Sequence, residues 1–316
     1  MSKSMVEVRD PVGTLPEPTF SNVSYGDTER QVMDVWLAKS DRPTPVVVYF
    51  HGGGWLTGDK SKVALSGEVQ DLLDAGISFV SANYRFIQQS IRTGDTFVEP
   101  VVDAERVARE APPVSVPIGD AARVVQFVRS QAESWNLDKA RLAVSGNSAG
   151  ACSSLWLAFH SDLEDPLASD AIARESTRPC CVAAMCVQTT LDPRQMRKFI
   201  PNIVYGGHAF GFTWDPENHG YEFERFSASR DIVLPWVEAY SPYALLDESA
   251  PPVYMEYTGG APNCASDEKD PNHSANFGVL IQPRLDELGI EYEFVYPGIE
   301  QRKYANAVDY LIDRLS

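Results

Sequence analysis

The chain of 316 residues carries 44 acidic side chains against 27 Lys and Arg, a formal charge of −17, and 44% of its residues are hydrophobic. That is a globular composition with room for a sizeable core, and the acidic excess, with no basic block to relieve it, repels phosphate backbones and anionic membrane surfaces. No stretch approaches the roughly 18 to 20 consecutive apolar residues of a membrane span. Met1 to Asp10 lacks the apolar run of a signal peptide, so a cytosolic location is expected. The five cysteines, Cys152, Cys180, Cys181, Cys186 and Cys264, are too irregularly spaced for a disulfide framework or a zinc knuckle. No metal or organic cofactor is implied.

From about residue 46 onward, short β-branched runs alternate with longer helical patterns, which predicts an α/β chain with a mostly parallel sheet covered by helices. The strand Val46 to Phe50 runs directly into His51-Gly52-Gly53-Gly54-Trp55. Lys62 to Ala75 is predicted as a helix closed by Gly76, and Ile77 to Ala82 as the next strand. Residues 86–118, with Pro100, Pro112, Pro113 and Pro117 among charges, form a long excursion. Asp120 then precedes a helix from Ala121 to Trp135, where it is expected to cap the N-terminus. Arg141 to Ser145 is a strand, Ala149 to His160 a helix, and Cys180 to Val187 a buried strand. Residues 190–245, rich in aromatics, Gly and Pro, are expected to fold as a lid or pocket wall. Tyr205, Phe210, Phe212 and Trp214 would supply its aromatic face or simply its packing. Strands at Val253 to Tyr257 and Tyr292 to Tyr296, with helices at Ala275 to Leu288 and Tyr304 to Leu315, complete the pattern. The chain, 1–316, is expected to be one domain with insertions at about 86–118 and 190–245.

Gly146-Asn147-Ser148-Ala149-Gly150 stands between a strand and a helix, the setting in which a GxSxG turn exposes its serine. Ser148 is therefore the candidate nucleophile, at a helix N-terminus where developing negative charge is favoured. The glycines of the 51–55 segment leave the backbone N–H groups of Gly53 and Gly54 free to approach an oxyanion, and the Ala149 N–H would be a third donor. The segment lacks the spacing of a dinucleotide or P-loop phosphate cradle.

These motifs, in this order, resemble the hormone-sensitive-lipase-like carboxylesterases of the α/β-hydrolase fold, over about Phe20 to Leu315. Ala82-Asn83-Tyr84-Arg85, Pro251-Pro252-Val253 and Tyr296-Pro297-Gly298 add to the likeness. The resemblance implies a serine carboxylesterase acting on a small or medium acyl ester, with His51 shaping the oxyanion loop. It also implies an acid after the strand at 253–257, where Asp270 fits better than Asp267, and a base two or three residues after Tyr296-Pro297-Gly298. Ile299-Glu300-Gln301-Arg302 fills that place, and no histidine follows His273. Glu300 is too weak a base unless strongly desolvated.

Three arrangements remain open. His273 could serve as base beside Asp270, since triads are defined by geometry and not by chain order. His208 or His219 could reach in from the 190–245 insertion. Alternatively the protein has lost hydrolysis and binds a small ligand in the esterase pocket, as the plant gibberellin receptors do within that family. Oligomeric state is not legible.

Overall fold

The computed structural model describes residues 15–65, 69–87, 91–93, 96–98, 102–213, 223–264 and 266–316. In chain order the elements are β1 (Phe20–Ser24), β2 (Val32–Trp36), β3 (Thr44–Phe50), α1 (Val69–Asp74), β4 (Ser78–Ala82), β5 (Ile91–Thr93), β6 (Thr96–Val98), α2 (Ala104–Arg109), α3 (Ser115–Ser130), α4 (Ala132–Trp135), β7 (Leu137–Asn147) and α5 (Ala149–Phe159). There follow β8 (Val182–Met185), α6 (Pro193–Phe199), α7 (Phe223–Ala228), α8 (Arg230–Tyr240), α9 (Pro242–Leu245), β9 (Val253–Glu256), α10 (Asn276–Leu288), β10 (Tyr292–Val295) and α11 (Ala307–Leu315).

Eight strands form one sheet in the order β1-β2-β4-β3-β7-β8-β9-β10. Only β2 runs against its neighbours, pairing antiparallel with β1 and β4, and all the pairs from β4 to β10 are parallel. This is the mostly parallel, helix-covered sheet that the alternating pattern predicted, in the α/β-hydrolase arrangement that the motif resemblance implied.

Every residue of β3 is buried, because helices cover both faces of a parallel sheet. Strand alternation divides the core in two. Val46, Val48 and Phe50 face the larger cluster, with α3, α5 and α10, while Val47 and Tyr49 face a smaller one under α1 and α11. Helix α5 is buried along all eleven residues, so the segment that begins at the GxSxG turn is the centre of the molecule.

Several elements differ from expectation. The first two strands were not anticipated, although Val32-Met33-Asp34-Val35-Trp36 shows the right propensity. Asp120 does not cap a helix: α3 starts at Ser115, with Pro117 in its first turn, so Asp120 lies inside it. Its buried carboxylate instead accepts bonds from the Arg85 guanidinium (2.7 Å) and backbone N–H (2.8 Å) and from Gln31 Nε2 (3.0 Å), tying β2, the segment after β4 and α3 together. Of the helix expected from Lys62 to Ala75, Val69–Asp74 is observed as α1, residues 62–65 are not helical, and 66–68 lie outside the described residues. The described residues of 190–245 are largely helical, and Phe210, Phe212 and Phe223 pack around Phe226 with centroids 5.3 to 6.1 Å apart. Those aromatics are the insertion's own core. Trp214 and His219 lie outside the described residues.

Candidate active site

In a parallel sheet the carboxyl ends of the strands share one edge, and ligands bind outside it. Here Phe50 at the end of β3 pairs with Gly146 near the end of β7, so the glycine loop and the serine turn leave the sheet side by side. The contact is close enough to dictate composition. A Cβ on Gly150 would stand 2.1 Å from the carbonyl oxygen of Phe50, and one on Gly146 would stand 2.5 Å from the backbone of Gly150. Only hydrogen fits at either place.

Ser148 occupies the apex, with φ 52° and ψ −120°. A side chain rarely adopts such a backbone, and the conformation is held from both directions. The Ser148 N–H donates to Met185 O at the end of β8 (2.9 Å), and its carbonyl accepts Cys152 N–H in the first turn of α5 (2.9 Å). Ser148 is 7% exposed. Ala149 is the first residue of α5, so its N–H has no intrahelical partner and is available beside the serine.

His273 approaches from the loop after β9. Asp270, Pro271 and the residues to His273 make a single 3₁₀ turn with Pro271 at its start, closed by His273 N–H donating to Asp270 O (3.2 Å). Ser148 Oγ lies 2.9 Å from His273 Nε2, and His273 Nδ1 lies 2.8 Å from Asp270 Oδ2. An ionised carboxylate only accepts, which places the proton on Nδ1 and leaves Nε2 a lone pair for the Ser148 hydroxyl. The structure thus brings Ser148, His273 and Asp270 into one hydrogen-bonded row. Behind the turn, the fully buried Gln188 donates from Nε2 to Asn272 O. Asn276 Nδ2 bonds Glu268 (3.1 Å) and Phe199 O (2.9 Å), pinning the loop to the end of α6.

The other described histidines, His51, His160 and His208, are committed elsewhere. His51 is buried; its Nδ1 donates to Gly52 O (2.7 Å) and its ring stacks on Tyr84 at 4.3 Å. Burial pushes its pKa down, with the Gly52 hydrogen bond opposing. His160 donates from Nδ1 to Ser161 O beyond α5 (2.7 Å). His208 does come from the 190–245 insertion, but its Nε2 meets Gly54 O at 3.0 Å and not the serine. Its pKa is lowered to about 4 by burial, the Gly54 hydrogen bond opposing. Asp267 and Glu300 are exposed. This role of His208 was not foreseen, because nothing in the Tyr205-Gly206-Gly207-His208 segment announces what lies across from it.

The glycine loop completes the site. Gly53, Gly54 and Trp55 all have positive φ, at 113°, 62° and 58°. A Cβ on Gly53 would meet Thr57 O at 2.2 Å, so the tight turn requires glycine there. A Cβ on Gly52 would lie 3.3 Å from Ser148 Cβ, which sets the loop against the serine. Among the described residues no cluster of three or more His, Cys, Asp or Glu could hold a metal ion, and no helix is long and apolar enough to cross a membrane.

Residues 33–96 match the family model described as BD-FAE. A stretch of 131 residues is 27% identical to a probable isoprenylcysteine alpha-carbonyl methylesterase of Oryza sativa subsp. japonica, covering 41% of this chain and 26% of that protein. A second such protein, from Arabidopsis thaliana, is 28% identical over 131 residues and is covered over 22% of its length. The match thus spans about a quarter of each curated relative. Among solved structures, an acetyl ester-xyloside bifunctional hydrolase from Caldicellulosiruptor lactoaceticus superimposes with a TM-score of 0.59 at 19% identity, covering 92% of this chain and 89% of that one. A carbohydrate esterase from gut microbiota, in truncated form, gives 0.61 at 16% identity over 96% and 99%. An esterase from Thermogutta terrifontis gives 0.57 at 16% over 92% and 85%. At these identities the likeness is one of fold.

Proposed function

We propose that the protein is a carboxylic ester hydrolase working through an acyl-enzyme on Ser148. The observation that carries this is the row Ser148 Oγ, His273 Nε2, His273 Nδ1, Asp270 Oδ2, with its 2.9 and 2.8 Å contacts, standing beside a positive-φ glycine loop. Esterase names among the sequence relatives and fold neighbours support it.

Ser148 Oγ attacks the ester carbonyl carbon while its proton passes to His273 Nε2. Asp270 steadies the imidazolium and its orientation. The N–H groups of Gly53, Gly54 and Ala149 stabilise the tetrahedral oxyanion, each donor contributing about 3 to 4 kcal/mol. Collapse breaks the bond to the alcohol oxygen, which leaves with the proton from His273. Water then attacks the acyl-enzyme, giving its proton to His273, and the second collapse returns that proton to Ser148 as the carboxylic acid departs. A small or medium acyl group is the reading for a serine that is 7% exposed. The Thermogutta terrifontis esterase among the fold neighbours was solved with propionate and with butyrate bound, which agrees with short acyl chains.

Wild type, Ser148→Ala and His273→Ala, each assayed with p-nitrophenyl acetate and butyrate and labelled with a fluorophosphonate, test the proposal. Wild type is expected to turn over and to label, with kcat falling by roughly 10⁴-fold or more in either variant. Full turnover in His273→Ala would remove that residue from the mechanism. A wild type that neither labels nor turns over would point instead to a ligand-binding pseudohydrolase.

A further inference from the structure

We infer that His208 is a positioning residue of the oxyanion loop, clamping the Gly54 carbonyl so that the strained Gly53-Gly54-Trp55 backbone keeps its donors beside Ser148. The inference rests on the esterase proposal above and names a residue that takes no part in the proton transfers.

In a trans peptide the carbonyl and the following N–H point in opposite directions, so whatever holds a carbonyl also aims the next donor. Gly52 O is held by His51 Nδ1–H at 2.7 Å, which directs the Gly53 N–H. Gly53 O accepts from Leu56 N–H (3.0 Å) and Thr57 N–H (3.1 Å), which directs the Gly54 N–H. Gly54 O is taken by His208 Nε2–H at 3.0 Å, from a residue 154 positions along the chain, which directs the Trp55 N–H and so fixes the peptide that follows the two donors rather than a donor itself.

This third clamp secures the most strained step. Trp55 has φ 58°, a region that a side chain disfavours. Rotating the Gly54–Trp55 peptide changes Gly54 ψ and Trp55 φ together, so a flip would relieve Trp55 and turn the Gly54 carbonyl away from His208. The Trp55 side chain is anchored separately, its indole N–H donating to Ser153 Oγ on α5 (3.0 Å). With the ring fixed at α5 and the carbonyl fixed at His208, the backbone between them holds its shape. His208 is 2% exposed and Tyr205 packs edge-on against the imidazole at 4.9 Å, so the donor side of the clamp is held in place.

The test compares His208→Leu, His208→Gln and His208→Asn with wild type, measuring kcat and KM on p-nitrophenyl butyrate and the rate of fluorophosphonate labelling. Gln can place an amide N–H where Nε2–H stands, whereas Asn is too short to do so. Leu and Asn are expected to lower kcat by about 10- to 100-fold with KM changed less than about threefold, because the donors act on the transition state. Gln is expected to return most of kcat. If Leu does not fold, the contrast between Gln and Asn decides. An active wild type whose kcat survives both Leu and Asn, or falls equally in Gln and Asn, overturns the clamp and leaves the esterase proposal standing. An inert, unlabelled wild type overturns both.

Discussion

Ser148 stands at the buried end of β7 beside the glycine loop that follows β3, and Gly53, Gly146 and Gly150 meet backbone that leaves no room for a methyl group. Asp270 and His273 stand on a single turn at the rim, with side chains 56% and 34% exposed. The first half is a property of the sheet and the second of four consecutive residues. A buried, strained half depends on the whole fold, and damage to it should cost stability along with chemistry. An exposed turn should lose chemistry alone.

The sharpest test of that difference pairs two substitutions. His273→Ala removes the partner of Ser148, and its melting temperature should stay within about 2 °C of wild type while turnover falls by roughly 10⁴-fold, as expected for a partly exposed side chain. Gly150→Ala must move the Phe50 carbonyl away from a Cβ 2.1 Å off. It should cost about 3 kcal/mol or more by chemical denaturation and abolish activity as well. Equal stability in the two variants would dissolve the contrast.

Asp270→Asn should have an intermediate effect, lowering kcat by about 100-fold. That is less than a buried triad acid would show, because water can reach the imidazole from the exposed side. Burial of His208, which clamps the glycine loop, should also show in the pH dependence of stability. The folded pKa of His208, lowered to about 4, lies below the ordinary 6.5, so the unfolded chain binds more protons between those values. The stabilisation from keeping His208 neutral is complete above about pH 6.5 and is lost as pH falls toward 4, on the order of 2 kcal/mol between pH 7 and 5. Urea midpoints measured across that range should fall for wild type and fall less for His208→Gln. The smallest effect is expected for Gln188→Leu, which releases Asn272 O behind the Asp270–His273 turn. A drop of about 5-fold in kcat with little loss of labelling specificity would fit a strut, and an unchanged kcat would show the turn holds itself.

What could be read in advance followed the range of the interactions. The alternation of β-branched runs and helical faces reflects burial on two sides of a sheet, and it shows in any window of ten or so residues. Ser148, Ala149, Gly53 and Gly54 were nameable because a tight turn between a strand and a helix demands glycines at fixed offsets. Asp120 misled for the same reason: an Asp before an apolar periodicity looks like a cap, while its partners Arg85 and Gln31 are 35 and 89 residues away. The base was the hardest part. With the place after Tyr296-Pro297-Gly298 filled by other residues, His273 was preferred to His208 and His219 only for standing three residues beyond Asp270.

By itself the sequence determined the α/β alternation, the two glycine-bearing turns and the short list of imidazoles, since these are local demands of backbone geometry and hydrophobic period. Only the tertiary structure decided which imidazole meets Ser148 Oγ and which one meets Gly54 O. Those contacts join residues 125 and 154 positions apart, and their distances are set by how the sheet, the loop after β9 and the 190–245 insertion pack, which no local pattern encodes.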